Sequence, residues 1–297
     1  MKRVFVIASL NVDFTNYVNQ LPKPGHTIFS DDFKKSPGGK GNNIVTNLKH
    51  IGANVDVVGC IGKDSNGKFL KDKLSDLKVD TSNISELDEG NTGFAHIIVD
   101  KNGENMIVVH SGTNNLLNIE MIPQRIIESS DIIVATLESP ANVIEEVFKN
   151  AKIKERTTIL NYSPALSINI NLLTTVEILI LNEYELVSII EHTKFESIHT
   201  LIKETGIKWV LCTKGKHGVS LISKFDQINY KGYIVDAVDT SGAGDAFLSG
   251  FVAGLASSHD INYSILIGLK YGAFATTKKG CQVKLPDLNE IKQFQEE

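Results

Sequence analysis

Four short apolar runs between residues 131 and 213 decide the fold class: DIIVATL (131–137), TTILN (157–161), EILILN (177–182) and KWVLCT (208–213). Helix-capable stretches separate most of these runs from one another. Strands that alternate with helices predict βαβ units and therefore a parallel sheet with helices on its faces. The sequence thus predicts an α/β fold.

The N-terminal part of the chain extends this pattern and adds a second feature. RVFVIASL (3–10) and NVDVVGCIG (54–62) predict buried strands, and IVTNLKHIG (44–52) predicts a helix that ends at its glycine. Segments 12–35 and 91–110 differ, because the second contains DKNGEN, a hairpin signal with Asn-Gly. These two segments predict a small antiparallel β-layer that extends from the main sheet. With no linker that divides the chain, we expect one domain over residues 1–297.

Composition and charge exclude several classes of protein. The net charge of −5 gives no electrostatic footprint for nucleic acid, and no apolar run approaches the 18 or so residues of a membrane span. Three widely spaced cysteines fit neither a disulfide framework nor a zinc site. We therefore expect a cytoplasmic protein that binds neither nucleic acid nor membrane.

Polar residues end or directly follow each of the four runs that define the sheet. They are Glu138, Asn161, Asn182, and the pair Thr213 and Lys214. In open parallel sheets, ligands bind outside the carboxyl ends of the strands. The four strand ends together predict a shared binding crevice at that edge.

The stretch DTSGAGDAF (239–247) adds chemistry to the same edge. A helix is expected to begin near Gly242, and its glycines allow the close backbone approach that an anion needs. Asp245 in the first turn could simply cap the helix. A carboxylate is a poor phosphate ligand but a suitable base for a hydroxyl that attacks a phosphate. The stretch therefore predicts a phosphoryl-transfer site with Asp245 as its base.

Two glycine-containing motifs are weaker candidates. GKDSNGKF (62–69) lacks the hydroxyl residue with which a P-loop binds magnesium. GAGDAF (242–247) has only the first two glycines of a dinucleotide-binding loop and lies late in the chain. Neither motif favours a P-loop enzyme or a dehydrogenase.

Taken together, the ordered motifs resemble the ribokinase-like PfkB carbohydrate kinase family, and its ribokinase members most of all. The resemblance rests on SPGGKGNNIVTNLKHIGANVDVVGCIGKDSNG (36–67) and VDTSGAGDAFLSGF (238–251), with SLNVD, LESP, LNYSP and LNEYE in the family's order between or before them. It implies a three-layer sandwich with a mostly parallel central sheet and a small β-sheet lid. It also implies ATP-dependent phosphorylation of a sugar or nucleoside hydroxyl, with Mg²⁺.

The resemblance also implies a role for individual residues. Asp245 corresponds to the catalytic base and Gly242, Ala243 and Gly244 to an anion hole. The implied sugar-binding residues, in addition to Asp245, are Asn11, Asp13, Gly39, Lys40, Asn43 and Glu138. The implied nucleotide-binding residues are Asn182, Thr213, Lys214, Gly215, Gly218 and Gly244, with Asn182 and Glu185 organising magnesium through water.

The acceptor is less closely defined than the chemistry. D-Ribose, converted to ribose 5-phosphate, is the favoured acceptor, and a fructokinase-like enzyme, a nucleoside kinase or a catalytically silent sugar-binding regulator are the alternatives. Asn42 and Ile44 replace the alanine and glutamine usual in ribokinases, and His26 stands where an acidic residue is common. Phe14 and Phe94 could stack on a nucleoside base or belong to the core.

Two further expectations come from the resemblance. Many family members bind potassium beside the anion hole, through positions that match Asp239, Ser241 and ATTKKGCQVK (275–284). Lys284 occupies a position usually held by a small hydroxyl residue, so we expect its ammonium to point inward, take the place of the cation and hold Asp239. The β-lid predicts a homodimer.

Overall fold

The computed structural model describes residues 1–294 and contains thirteen β-strands in two sheets. Their bounds are β1 Arg3–Ile7, β2 Asn11–Val18, β3 Asp32–Gly38, β4 Asn54–Gly62, β5 Ile84–Leu87, β6 Gly93–Asp100, β7 Asn105–His110, β8 Ile132–Thr136, β9 Thr157–Asn161, β10 Ile178–Asn182, β11 Trp209–Thr213, β12 Val219–Ile222 and β13 Gln227–Tyr230.

Ten α-helices connect or flank these strands in the described part of the chain. Their bounds are α1 Lys40–Ile51, α2 Ser65–Asp76, α3 Gln124–Ser129, α4 Ala141–Ile153, α5 Ile170–Leu173, α6 Glu183–Thr193, α7 Ile198–Thr205, α8 Ala243–Ala256, α9 Ile261–Thr276 and α10 Leu288–Lys292. Short 3₁₀ turns lie at Gly112–Leu116, Ile119–Met121 and Gly215–His217.

The larger sheet has nine strands in the order β13-β12-β11-β10-β9-β8-β1-β4-β5. All neighbouring pairs from β11 to β5 are parallel, and the two pairs at the other edge, β11 with β12 and β12 with β13, are antiparallel. The four runs that opened the sequence analysis are the consecutive neighbours β8, β9, β10 and β11. The predicted α/β fold with a mostly parallel sheet is therefore confirmed.

Helices cover both faces of this sheet, which gives three layers. In β1, Val4 and Val6 belong to a core shared with α1, α2, α8 and α9, whereas Phe5 and Ile7 belong to a core shared with α3 to α7. Successive side chains of a strand point to opposite faces, so one fully buried strand serves both cores. Helix α1 ends at Gly52, which adopts a left-handed conformation as predicted.

The smaller sheet, which we call the lid, has the order β3-β2-β6-β7. Strands β6 and β7 form the predicted hairpin, and β3 reaches Gly38, three residues beyond the expected segment. The layer is not wholly antiparallel as predicted, because β2 and β6 pair in parallel. β2 follows β1 and β6 follows β5, and β1 and β5 run in the same direction in the main sheet, which is consistent with this parallel pairing.

None of the helices within residues 1–294 combines the length and apolar character that crossing a membrane requires.

Candidate active site

The turn before α8 has the geometry expected of an anion-binding helix start. Gly242 has a φ of 75°, and a Cβ atom there would lie 2.7 Å from the carbonyl oxygen of Cys281. A Cβ atom at Gly244 would meet no heavy atom within 4 Å, so the turn faces open space. The fourteen-residue helix behind it directs its positive dipole end into that space.

Asp245 lies in the first turn of α8 and is only 6% exposed. Asn43 of α1 donates its side-chain amide to Oδ2 of Asp245 at 2.9 Å. Burial raises the pKa of Asp245, the Lys40 ammonium and the Asn43 hydrogen bond act against this, and the Glu138 charge adds to it. The net result is a pKa above the ordinary value, which makes the carboxylate a stronger base than one in water.

Lys40 supplies the positive charge of this cluster. Burial acts to lower its pKa, but the carboxylates of Asp245, Glu138 and Glu185 raise it, and the net pKa is above its ordinary value. The side chain is therefore an ammonium group at neutral pH, placed among carboxylates and suited to a negatively charged ligand.

Glu138 holds the start of α1 in place. Its Oε2 accepts hydrogen bonds from the Lys40 backbone N–H at 2.9 Å and from the Ser9 hydroxyl at 2.6 Å. The Ser9 hydroxyl in turn accepts from the N–H of Gly41. Glu138 therefore positions the glycine-rich segment as well as lining the cavity described below.

Asp13 and Asn11 enter the site from the first lid strand. Burial raises the pKa of Asp13 to about 7, with Glu138 and Asp245 adding to the effect. A Cβ atom at Gly38 would lie 2.1 Å from Oδ1 of Asp13, so only glycine leaves room for this carboxylate. Asn11 is held by Asn114, whose amide donates to its Oδ1 at 2.7 Å.

These groups surround a cavity of about 1100 Å³, which we call the acceptor cavity. The lid forms one wall through Thr15, Tyr17, Ile97 and Val109. All of the predicted sugar-binding residues line it, namely Asn11, Asp13, Gly39, Lys40, Asn43, Glu138 and Asp245, together with Gly242. The fold therefore brings together segments that are more than 200 residues apart in the chain.

A second cavity of about 870 Å³, which we call the nucleotide cavity, lies on the other side of the same turn. It is lined by the predicted residues Asn182, Thr213, Gly215, Gly218, Ala243 and Gly244. Thr240 and Ala237 line both cavities. The start of α8 is therefore the boundary at which a group could pass from one cavity to the other.

Lys214 is placed differently from its predicted neighbours. It is not among the described residues that line the nucleotide cavity, and its backbone N–H donates to the Gly218 carbonyl at 2.8 Å. Gly218 has a φ of 99°, and a Cβ atom there would lie 1.9 Å from the Tyr230 carbonyl oxygen. Lys214 thus shapes the loop through its backbone.

Asn182 and Glu185 form a reciprocal cap at the start of α6. The Glu185 N–H donates to Oδ1 of Asn182, and the Asn182 N–H donates to Oε2 of Glu185, both at 2.8 Å. Within residues 1–294, no cluster of three or more His, Cys, Asp or Glu side chains is arranged to hold a metal ion. A magnesium ion would accordingly take most of its ligands from phosphate and water, as is usual at nucleotide sites.

The expectation for Lys284 is wrong. Lys284 is exposed, and its charge acts on His50, whose pKa is lowered by burial and by this neighbour. Asp239 instead accepts from the N–H groups of Ser241 at 2.9 Å and Gly280 at 2.8 Å. Since exposure keeps an ammonium hydrated, Lys284 does not take the place of a cation beside Asp239.

Phe14 and Phe94 do not line the acceptor cavity. Their rings lie 6.3 Å apart on the face of the lid opposite the cavity, and both contact the ring of His96. Their neighbours Asp13 and Ala95 face the cavity instead, because side chains alternate along a strand. Both phenylalanines pack against the core shared with α1, α2, α8 and α9, so the alternative that they belong to the core is confirmed.

The P-loop alternative also fails on geometry. The side chain of Asp64 caps α2 by accepting from the N–H groups of Asn66 and Gly67. A carboxylate already occupies the position in which a phosphate would bind.

Two residues of the site were missed by sequence reasoning. Asn114 fixes Asn11, and Gln282 donates from Nε2 to Oδ1 of Asn43 at 3.0 Å. Gln282 lies within the segment quoted for the cation site, and the amide side chains of both residues were the available signal. The partner of each became visible only in the folded chain.

Comparisons with known proteins agree with this architecture. The model of the pfkB family carbohydrate kinases matches residues 1–288. Ribokinases from Haemophilus influenzae and Staphylococcus aureus are 32% and 33% identical, over 99% and 98% of this chain and 99% of each relative. The crystal structure of a ribokinase from Thermotoga maritima has a TM-score of 0.91 at 28% identity and covers 99% of both chains. The chain belongs to the pfkB family of carbohydrate kinases.

Proposed function

We propose that this kinase transfers the γ-phosphoryl group of ATP to the hydroxymethyl group of D-ribose and so produces ribose 5-phosphate. The observation that carries the proposal is the position of Asp245, at the junction of a polar acceptor cavity and a glycine-lined nucleotide cavity. Only at such a junction can an acceptor oxygen and a terminal phosphate approach each other in line.

Each group at the junction has a distinct task in the proposed reaction. Asp245 removes the proton of the acceptor hydroxyl as its oxygen attacks the γ-phosphorus. The bond between that phosphorus and the bridging oxygen breaks, and ADP leaves with the electron pair. The first-turn amides of Gly242, Ala243 and Gly244 stabilise the negative charge on the transferring group.

The nucleotide side of the site is proposed by the same reasoning. Thr213, Gly215 and Gly218 bound the cavity in which ATP would lie, and Lys214 supports their loop. Asn182 and Glu185 would orient magnesium-bound water, and the ion would neutralise phosphate charge when it binds. Glu185 is 7% exposed and acts on Lys40, which places its charge close to the junction.

Ribose is favoured over the alternative acceptors by the lining of the acceptor cavity. Asn11, Asp13 and Asn43 present amides and a carboxylate, groups that hydrogen-bond sugar hydroxyls. Stacking rings for a nucleoside base are not supplied by Phe14 and Phe94, which lie on the other face of the lid. The relatives named ribokinase, at 32% and 33% identity, support the same choice.

A coupled ADP-release assay with a panel of pentoses, hexoses and nucleosides tests the acceptor. Ribose should give the highest kcat/KM, and 2-deoxyribose should be much poorer, because buried polar groups lose their partner. Equal kcat/KM for ribose and a nucleoside would contradict the choice of acceptor. A fructose preference would favour the fructokinase-like alternative, and the absence of turnover with every acceptor would favour a silent regulator.

The Asp245→Asn variant tests the base. The asparagine keeps an oxygen that can accept from Asn43, so ribose affinity should change little. The kcat should fall by about 10² to 10⁴, the usual contribution of a general base. A variant that keeps a tenth of the original kcat would contradict the assignment.

We also propose a monovalent cation, potassium, beside the turn that contains Asp239 and Ser241. Burial acts to raise the pKa of Asp239, but hydrogen bonds from the backbone and side chain of Ser241 and from the Gly280 N–H, with the Lys279 charge, hold it below its ordinary value. The resulting carboxylate, with nearby backbone oxygens, would offer a cation the oxygen ligands it requires. With Lys284 exposed, no ammonium from that position competes with the ion.

We propose further that two copies of the chain pair through their lids. Strand β7 is an edge strand whose six residues are all exposed, and Met106 to Val109 form four consecutive apolar residues with exposures from 49% to 69%. Such an edge is a template for pairing with another strand. Light scattering should give a dimer for the original protein and a monomer for Val108→Glu, whereas Phe225→Glu, an exposed control elsewhere, should remain dimeric.

The reaction is proposed to take place in the cytoplasm. The three cysteines are free thiols in the structure, as is usual in a reducing compartment.

A further inference from the structure

A chain of three polar side chains leads to Asp245 from the segment that follows α9. Gln282 donates from Nε2 to Oδ1 of Asn43 at 3.0 Å, and Asn43 donates from Nδ2 to Oδ2 of Asp245 at 2.9 Å. Asn43 is 7% exposed, so both ends of its amide depend on these partners. Gln282 is half-buried and lines the acceptor cavity.

The two ends of the Asn43 amide are not equivalent. In the observed orientation, its N–H group meets an acceptor on Asp245 and its oxygen meets a donor on Gln282. The reversed orientation would place oxygen against the carboxylate and set two amino groups against each other. That reversed orientation becomes favourable only when Asp245 is protonated and can itself donate.

We propose that Gln282 is a positioning residue for phosphoryl transfer, which keeps the Asn43 amide turned so that it donates to the basic form of Asp245. The proposal rests on the proposed function, in which Asp245 is the base. Gln282 acts through Asn43. By fixing the Asn43 amide, it stabilises the ionised, proton-accepting form of Asp245 relative to the protonated form.

Other charged and titratable groups also face Asp245 and remain in place when Gln282 is changed. Lys40 comes from α1, Glu138 from the loop after β8, Asp13 from β2 and Cys281 from the segment after α9. Any change that follows substitution of Gln282 alone therefore reports the lost amide contact.

The test is the pH dependence of single-turnover phosphorylation at saturating ATP and ribose, for the original protein and for Gln282→Leu. Without the Gln282 donor, the hydrogen bond from Asn43 to ionised Asp245 is weaker, so the pKa of Asp245 rises. The acid limb of the rate–pH profile should therefore move to higher pH by about 0.7 unit. The rate at high pH, where Asp245 is ionised in both proteins, should change much less than the rate at low pH. An acid limb that stays at its original pH, whatever happens to KM, would overturn the proposal.

A second variant keeps the test decisive if leucine disturbs folding. Gln282→Met has nearly the same length, carries no charge and lacks the donor, so it removes the contact with Asn43 without adding a charge near Asp245. The acid limb of the rate–pH profile should then move to higher pH by about the same amount as in Gln282→Leu, and a limb that stays in place would again refute the role.

Two controls separate this proposal from the proposed function. Lys284→Ser changes an exposed residue two positions away and should leave the profile unchanged. If Asp245→Asn retains a tenth of the original kcat, the base assignment itself fails. If Asp245→Asn is nearly inactive but Gln282→Leu leaves the limb in place, only the role of Gln282 fails.

Discussion

Replacement of Asp13 by asparagine should stabilise the folded protein at pH 8 and change it little at pH 4. Asp13 is 9% exposed, and burial, together with the charges of Glu138 and Asp245, raises its pKa from 3.8 to about 7. A carboxylate with a raised pKa favours folding only in its protonated form. The folded protein therefore loses stability as the pH rises from about 4 through about 7.

The magnitude follows from the difference between the two pKa values of Asp13. Each pKa unit corresponds to 1.36 kcal/mol, so ionised Asp13 disfavours the folded state by about 4 kcal/mol at pH 8. Asparagine has nearly the same shape and carries no charge, so Asp13→Asn should recover most of this free energy. The same change removes a charged partner for a sugar hydroxyl, so the KM for ribose should rise about tenfold or more.

Urea unfolding at pH 4, 6 and 8 measures this effect directly. The free energy of unfolding of Asp13→Asn should exceed that of the original protein by an amount that grows with pH. Asp31→Asn is the matched control, because Asp31 is an exposed carboxylate at the mouth of the same cavity. A difference that is the same at all three pH values would refute the reasoning.

Two further predictions concern the turn before α8. Potassium chloride added to a Tris-buffered assay should raise kcat several-fold more than sodium chloride does. The effect should be equal in the original protein and in Lys284→Ser. A rate that is the same with either salt would exclude the cation site at Asp239. Gly242→Ala should lower the free energy of unfolding by about 1 to 3 kcal/mol, because the new Cβ atom meets the Cys281 carbonyl in a left-handed conformation. Gly103→Ala has a similar φ in open space and should cost less; equal losses would contradict the role of the Cys281 contact.

Much of the candidate site could be predicted because its residues belong to local patterns. Gly242 and Asp245 were identified from a glycine turn followed by an apolar helix, and the turn has the φ and the helix start that this pattern requires. Glu138, Asn182 and Thr213 were identified because parallel strands end at one edge of a sheet. These features depend on backbone conformation and on strand direction, which neighbouring residues largely determine.

The orientation of individual side chains depended on distant parts of the chain. Sequence reasoning leaves open whether Phe14 and Phe94 face the acceptor cavity. The reason is that side chains alternate between the two faces of a strand, and the sequence does not say which face meets the cavity. Lys284 was expected to point inward, but the path of the chain after Gly280 leaves it in solvent beside His50.

By itself, then, the sequence determined the alternation of strands and helices and the glycine turn at the start of α8, and it supplied Asp245 as the proposed base. Only the tertiary structure decided that Asn43 meets Asp245 across 202 residues of chain, and that Gln282 meets Asn43 across 239. It also decided that the pKa of Asp13 is raised, because the fold buries this carboxyl and brings Glu138 and Asp245 close to it from separate segments. Hydrogen bonds and pKa values at such distances depend on how helices pack against the sheet to within a fraction of an ångström, which no local pattern specifies.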